Sequence, residues 1–164
     1  MEGTLYEERI YSRWNIIVIG IVMLALLAAL IRQLTGGPLG TNPAPNAFFV
    51  GMILLFVVIG LNFAALTVRV TIQGISVSYG LIRHNIPWGE VAGCRPDDAS
   101  AIRYGGWGIR SGLVAGKRRL VYSVIRAPRV VVETRLGAHQ EFAFSTMNPE
   151  AVMKAIDEGL GRRS

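Results

Sequence analysis

AFFVGMILLFVVIGLNFAALTVRVTIQGISVS, residues 47–78, changes its period part-way, and that change decides the fold. Ala47 to Leu66 is an apolar run broken by Gly51, Gly60 and Asn62. As a helix it would measure about 30 Å, the thickness of a bilayer's hydrocarbon core. Thr67-Val68-Arg69-Val70-Thr71-Ile72 then alternates polar and apolar, the period of a half-buried strand. After a Gln73-Gly74 turn, Ile75-Ser76-Val77-Ser78 alternates again. No Gly, Pro or Ser linker separates the run from the alternation. A membrane helix is therefore expected to feed straight into a β domain.

Upstream, Trp14 opens a second apolar run that ends at Ile31, before Arg32. As a helix it is about 27 Å long, with Tyr11 and Trp14 placed as interfacial aromatics. Arg32–Asn46 holds Gly36, Gly37, Pro38, Gly40, Pro43 and Pro45 and reads as a loop. The expected organisation is a polar cytoplasmic segment over 1–13, a two-helix transmembrane hairpin over 14–66 and a cytoplasmic domain over 67–164. The spans cover about 14–31 and 47–66, with an outside loop at 32–46. Arg9 and Arg13 precede the first span and Arg69 follows the second, against Arg32 alone in the loop. The positive-inside rule then sets both termini of a multi-pass cell-membrane protein in the cytoplasm. A cleaved signal peptide fits less well, because the polar lead is long and acidic and no small-residue cleavage site follows before Gly36. Ala25 with Ala29, and Gly60 with Ala64, are small residues four apart, the spacing that lets helices approach closely or that an Ala-rich run shows by chance. Asn62 is placed to bond across helices or to reach interfacial water.

Downstream, strands are expected over 81–86, 91–95, 119–124, 129–134 and 140–144, with Asp97–Gly112 as a glycine-rich loop. The chain ends in a helix: Asn148 suits the N-cap, Pro149 the first turn and Glu150 the positive end of the dipole. Val152, Met153, Ile156 and Leu160 share one face, and Gly159 or Gly161 stops it. From Arg69 to Ser164 stand 14 Lys or Arg against 8 Asp or Glu, which carries the chain's formal +6. A basic domain beside a bilayer attracts anionic head groups. Nucleic acid is not expected, since no aromatic-basic, zinc or recognition-helix pattern occurs. The lone Cys94 excludes an internal disulfide and reads as a small core residue.

Catalytic patterns fail on spacing. Gly106-x-Gly108-x-x-x-Gly112 is one residue too long for a dinucleotide loop, and Gly112-x-x-x-Gly116-Lys117 is one short for a phosphate loop, with Arg118 where Ser or Thr is needed. His84 and His139 lack partners at ligand spacing, and no metal or cofactor is expected. Asp97-Asp98 reads as a solvated turn. Lys117-Arg118-Arg119 is the strongest candidate patch for lipid or partner contact, or else a solvated hairpin end. Arg110 and Trp107 join it as candidates, Trp107 also being readable as an aromatic folded onto the sheet.

Two helices followed by this strand series, with Ile86-Pro87-Trp88, Tyr104-Gly105-Gly106-Trp107-Gly108-Ile109-Arg110 and Ser145-Thr146-Met147-Asn148-Pro149-Glu150, resemble the prokaryotic membrane proteins that carry a bacterial pleckstrin-homology-like (PH-like) domain. The resemblance implies a strongly bent seven-stranded antiparallel sandwich or barrel capped by the C-terminal helix. It implies no established activity. Lipid-binding members of the wider fold place basic residues in the first strand-to-strand loop; here that loop is Gln73-Gly74. The expected function is a non-enzymatic, membrane-anchored module for protein interaction or self-assembly. The alternatives are an anionic-lipid binder or sensor and, more distantly, a subunit of a membrane enzyme or transporter.

Overall fold

The structure, a computed structural model, describes residues 3–37, 40–97, 108–114, 116–136 and 138–162. The chain forms two compact units, Met1–Tyr11 with Ala65–Ser164, and Ser12–Ala64. The first is a sheet domain split in sequence by the second.

The sheet domain opens with β1 (Thr4–Tyr11), in the segment read from sequence only as polar. The segment expected as a separate polar stretch over 1–13 thus contributes Thr4–Tyr11 to the domain. Its inward positions are Tyr6, Glu8 and Ile10, and the charged Glu8 breaks the alternation that would have announced a strand. Glu8 is turned inward because it has partners there. Tyr6 Oη donates to it at 2.9 Å, Thr146 Oγ1 at 2.7 Å and the Met147 N–H at 2.9 Å. It thereby ties the N-terminal strand to the start of the C-terminal helix.

After the helical unit come β2 (Ala65–Thr71), β3 (Gly74–Tyr79) and β4 (Ile82–Pro87), which with β1 make an antiparallel sheet in the order β1-β2-β3-β4. At the β2–β3 turn, a Cβ on Gly74 would stand 2.3 Å from the Ile86 carbonyl oxygen, so only glycine lets β4 close over the turn. Then follow β5 (Val91–Pro96), β6 (Gly108–Val114), β7 (Lys117–Ser123), β8 (Arg129–Thr134) and β9 (Glu141–Ser145), in a second sheet ordered β5-β8-β9-β7-β6. The glycine-rich stretch expected as loop up to Gly112 thus holds a strand from Gly108, whose residue Gly112 lies opposite Arg119. This sheet is mixed, not purely antiparallel, because β9 inserts between β8 and β7 and runs parallel to β7. The crossing segment after β7 is held at the end of β9, where Ser145 Oγ accepts the Val124 N–H at 3.0 Å and the Thr146 N–H bonds the Pro128 carbonyl.

The two sheets meet through Tyr79 stacked on Tyr122 and His84 set 4.7 Å from Phe142. Leu66, Val68, Val70, Ile75, Val77, Ile86, Phe142 and Phe144 fill the core. Helix α3, Pro149–Gly161, closes this core and buries Val152, Ala155, Ile156 and Gly159. The expected cap is replaced: the Asn148 side chain makes no capping bond, and Thr146 Oγ1 and Glu8 take the nearby N–H groups. Gly159 does not stop the helix. Its missing side chain admits the Trp88 ring, which a Cβ there would approach to 2.2 Å. Trp88 Nε1 donates to the Thr71 carbonyl at 3.0 Å, fixing the ring between sheet and helix.

The helical unit consists of α1 (Arg13–Gly36) and α2 (Asn46–Asn62). α1 has 24 residues and, among the described residues, is the one helix long and apolar enough to cross a membrane. It runs five residues past the expected end at Ile31, and Gln33 Nε2 bonds the Ala44 carbonyl and Asn46 Oδ1 to close the hairpin. α2 is shorter than the expected 47–66 span. It ends at Asn62, because Ala65 and Leu66 are already strand residues buried in the sheet domain. Ile19, Val22, Met23, Leu26, Ala29, Leu30 and Gln33 form the half-buried stripe of α1 at the spacing of a helix–helix seam.

Candidate functional site

Alternation sorts the β1–β4 sheet into two faces. Leu66, Val68, Val70, Ile75, Val77 and Tyr79 are buried on one. Thr67, Arg69, Thr71, Ser76 and Ser78 occupy the other. Register completes this polar face with two cross-strand rows, Glu7–Arg69–Ser76–Asn85 and Arg9–Thr67–Ser78–Arg83. A concavity of about 480 Å³ opens there, and Arg69, Thr71, Ser76, Arg83, Asn85 and Pro87 are among its lining residues. Arg69 Nε donates to Glu7 Oε1 at 2.8 Å, an ion pair exposed to solvent on both sides. Arg83 is exposed, in a row with the half-buried hydroxyls of Thr67 and Ser78, and forms no ion pair among the described residues. β4 is also an edge strand of its sheet, with main-chain groups able to take another extended segment. Hydroxyls, an amide and guanidinium groups on a concave sheet suit an acidic or hydroxyl-rich partner surface.

The basic run from the sequence has a different fate. Arg119 is buried, with its Nε 2.7 Å from Glu141 Oε2 and its Nη1 3.3 Å from Asp97 Oδ1. Asp97 also accepts Arg129 Nε at 2.8 Å, and Glu141 accepts Arg95 Nη2 at 3.0 Å. Lys117 stands 3.4 Å from the same Glu141 carboxylate, its side chain half exposed. Burial pushes the Glu141 carboxyl up, but the hydrogen bonds and charges of Arg119 and Arg95 outweigh it and hold the group below its ordinary value. Lys117-Arg118-Arg119 is therefore not one patch. Alternation turns Lys117 and Arg119 to one face and Arg118 to the other, and Arg119 is spent inside the sheet. Asp97, expected in a solvated turn, is a buried ion-pair partner; Asp98 lies outside the described residues, as does Trp107.

Arg118 reaches a smaller recess of about 340 Å³ with Ser111, Leu113 and His139. Ser111 Oγ and His139 Nε2 are 3.0 Å apart. His84, distant in sequence from His139, comes close enough to feel its charge: burial first, then that charge, lower the His84 pKa. No cluster of three or more His, Cys, Asp or Glu side chains among the described residues is arranged to hold a metal ion. Cys94 is half-buried, and burial with the nearby Asp157 raises its thiol to about 11. Arg110 is exposed on β6, opposite Val121.

No known protein family, curated protein or solved structure matches the chain. The geometry therefore carries the functional reading. Among the helix candidates, Gly60 faces α1, where a Cβ would meet Ile19 at 3.4 Å. Ala29 is on the half-buried stripe, while Ala25 is exposed. Ala64 falls beyond the end of α2 and its carbonyl accepts the Ser12 N–H at 2.9 Å. Asn62 is half-buried at the last turn of α2. Sequence reasoning passed over Arg69, Arg83 and Asn85 as a group. Their signal was the period of two: Arg83 and Asn85 alternate with Ile82, His84 and Ile86, as Arg69 does with Val68 and Val70.

Proposed function

We propose that the chain is a non-enzymatic, membrane-anchored module whose PH-like sheet domain engages a protein partner, or copies of itself, at the cytoplasmic face of the cell membrane. One observation carries this reading: β1 and β2 pair from Thr4↔Thr71 to Tyr11↔Ala65, and the helical hairpin is inserted between them. Ser12 alone separates β1 from α1, and Phe63 and Ala64 separate α2 from β2. A domain whose chain passes twice into apolar helices, with one and two residues between, stays next to a membrane that those helices enter. The polar concavity and the β4 edge are what it offers. Two sheets with one helix across the core support the PH-like reading. In this reading α2 also crosses the bilayer, and Arg9, Arg13 and Arg69 set the orientation.

Photo-crosslinking from position Asn85 in native membranes tests the proposal. A discrete protein adduct, reduced several-fold by Arg83→Ala, is expected. Adducts to lipid alone favour the second reading, an anionic-lipid binder, for which Arg83, Arg110 and Arg118 are among the exposed cations. Orientation is checked separately with Gln73→Cys in a Cys94→Ser background, which should resist an impermeant thiol reagent in intact cells. Native Cys94 is a poor probe, because its raised pKa leaves little thiolate at neutral pH.

A further inference from the structure

The turn between β3 and β4 presents apolar side chains to solvent. Leu81 is 94% exposed and Ile82 43% exposed. Register fixes where this turn lies. Ile10, Leu66, Tyr79 and Ile82 form one row across the four strands. One residue beyond that row stand Tyr11 and Ala65 on β1 and β2, and Gly80 and Leu81 at the turn. The tip is therefore level with the two points at which the chain leaves the sheet for the helices. Neighbouring strands are about 4.8 Å apart, which sets β4 roughly 10 Å from β2 and roughly 14 Å from β1. This distance is internal to the sheet.

We infer that Gly80-Leu81-Ile82 is a membrane-inserting tip, a third point of attachment beside the two helices. The occupant is the interfacial layer of the bilayer. Leu81 and Ile82 enter the boundary of the acyl chains, where apolar side chains are favoured. Arg83 and Arg9 lie in the next row of the same sheet, at the level where a basic side chain meets lipid phosphate. Tyr11, 59% exposed and at the same level as the tip, is an interfacial aromatic. An apolar tip followed by cations is the order in which a bilayer presents its own layers.

The inference rests on α1 crossing the bilayer, and the test separates the two. The full chain, in a Cys94→Ser background, is reconstituted into phosphatidylcholine–phosphatidylglycerol vesicles. An environment-sensitive fluorophore is attached in turn to Leu81→Cys, Gln73→Cys and Leu24→Cys, and quenched by lipids spin-labelled at shallow or deep positions. Gln73 marks the opposite end of the sheet, and Leu24 is in the middle of α1. Leu24 should be quenched from the deep position, Leu81 several-fold more from the shallow position than Gln73, and Gln73 little from either. If Leu24 is quenched and Leu81 matches Gln73, the tip is wrong while the span stands. If Leu24 is not quenched, the span fails and the tip falls with it. Since the fluorophore is itself apolar, a second arm keeps the native tip and labels Ser78→Cys. Adding Leu81→Asp and Ile82→Asp there should cut shallow quenching at least two-fold, and unchanged quenching would overturn the inference.

Discussion

Arg83 and Arg119 each sit within a strand and have opposite fates. Arg83 is on the edge strand β4, with one neighbouring strand, and Arg119 is on β7, between β9 and β6. Arg119 is 3% exposed, and the parallel pairing of β7 with β9 sets it opposite Glu141. Asp97 supplies a second carboxylate. The desolvation of one guanidinium is offset by two charge-assisted partners. Arg83 is opposite Ser78 and remains in water. The difference shows that a basic run is not a basic surface. Strand alternation and the residue across the ladder decide whether a cation is available to a partner, and neither can be seen in the run itself.

The largest effect that would break this comparison is at Glu141. Glu141→Ala leaves Arg119 buried without its principal carboxylate, and should cost about 3–5 kcal/mol of stability. Denaturant unfolding of the full chain in detergent measures it. A loss no larger than that of Arg83→Ala would mean that the network is not buried in solution. The pH dependence follows from the same group. The folded Glu141 titrates below its ordinary value of 4.5, so its contribution is fully present above that pH and is lost as pH falls through the lower folded value. Stability should therefore drop below about pH 4.5, with a flatter slope in Glu141→Gln. His84 adds a weaker slope at higher pH. Its folded pKa is lowered from 6.5, so the neutral ring favours the fold above pH 6.5 and that contribution fades as pH falls below it.

Most of the sheet domain was legible because its strands keep the period of two: β2, β3, β4, β5, β7, β8 and β9 lie within a few residues of their expected places. The two strands that were not legible failed for different reasons. β1 carries Glu8 at an inward position, where two of its three hydrogen-bond donors, Thr146 and Met147, come from far along the chain. β6 begins amid glycines that are as compatible with a loop. The end of the second helix was misread because Ala65 and Leu66 are apolar for the sheet's core rather than for lipid. At the site, Arg83 and Asn85 were hidden by their spacing, since a face assembled across strands has no contiguous sequence signature. Lys117-Arg118-Arg119 was conspicuous for the opposite reason, and contiguity was what misled.

A smaller effect sharpens the contrast on the polar face itself. Glu7 and Arg69 are bonded as Glu141 and Arg119 are, yet both side chains are about half exposed. Solvent screening should reduce this pair to about 0.2–1 kcal/mol. A double-mutant cycle with Glu7→Gln and Arg69→Gln measures the coupling, which should fall further when salt is raised. A coupling of the size expected at Glu141 would mean that burial is not what separates the two sheets.

The smallest expected effect on stability is at Arg83, and it is the most informative about function. Arg83→Ala removes no ion pair among the described residues and opens no cavity, because the side chain lies on an exposed face. The change in stability should stay within about 0.5 kcal/mol. The same substitution should still reduce the protein adduct formed from Asn85, since it takes a cation from the concavity without disturbing its walls. A stability loss above about 1 kcal/mol would assign Arg83 to the fold and not to recognition, because surface residues away from special features rarely cost so much. An unchanged fold with an unchanged adduct would leave the β4 main-chain edge as the contact. Binding would then depend on strand pairing, and a proline introduced by Arg83→Pro should abolish the adduct from Asn85, because proline removes a ladder donor at the edge.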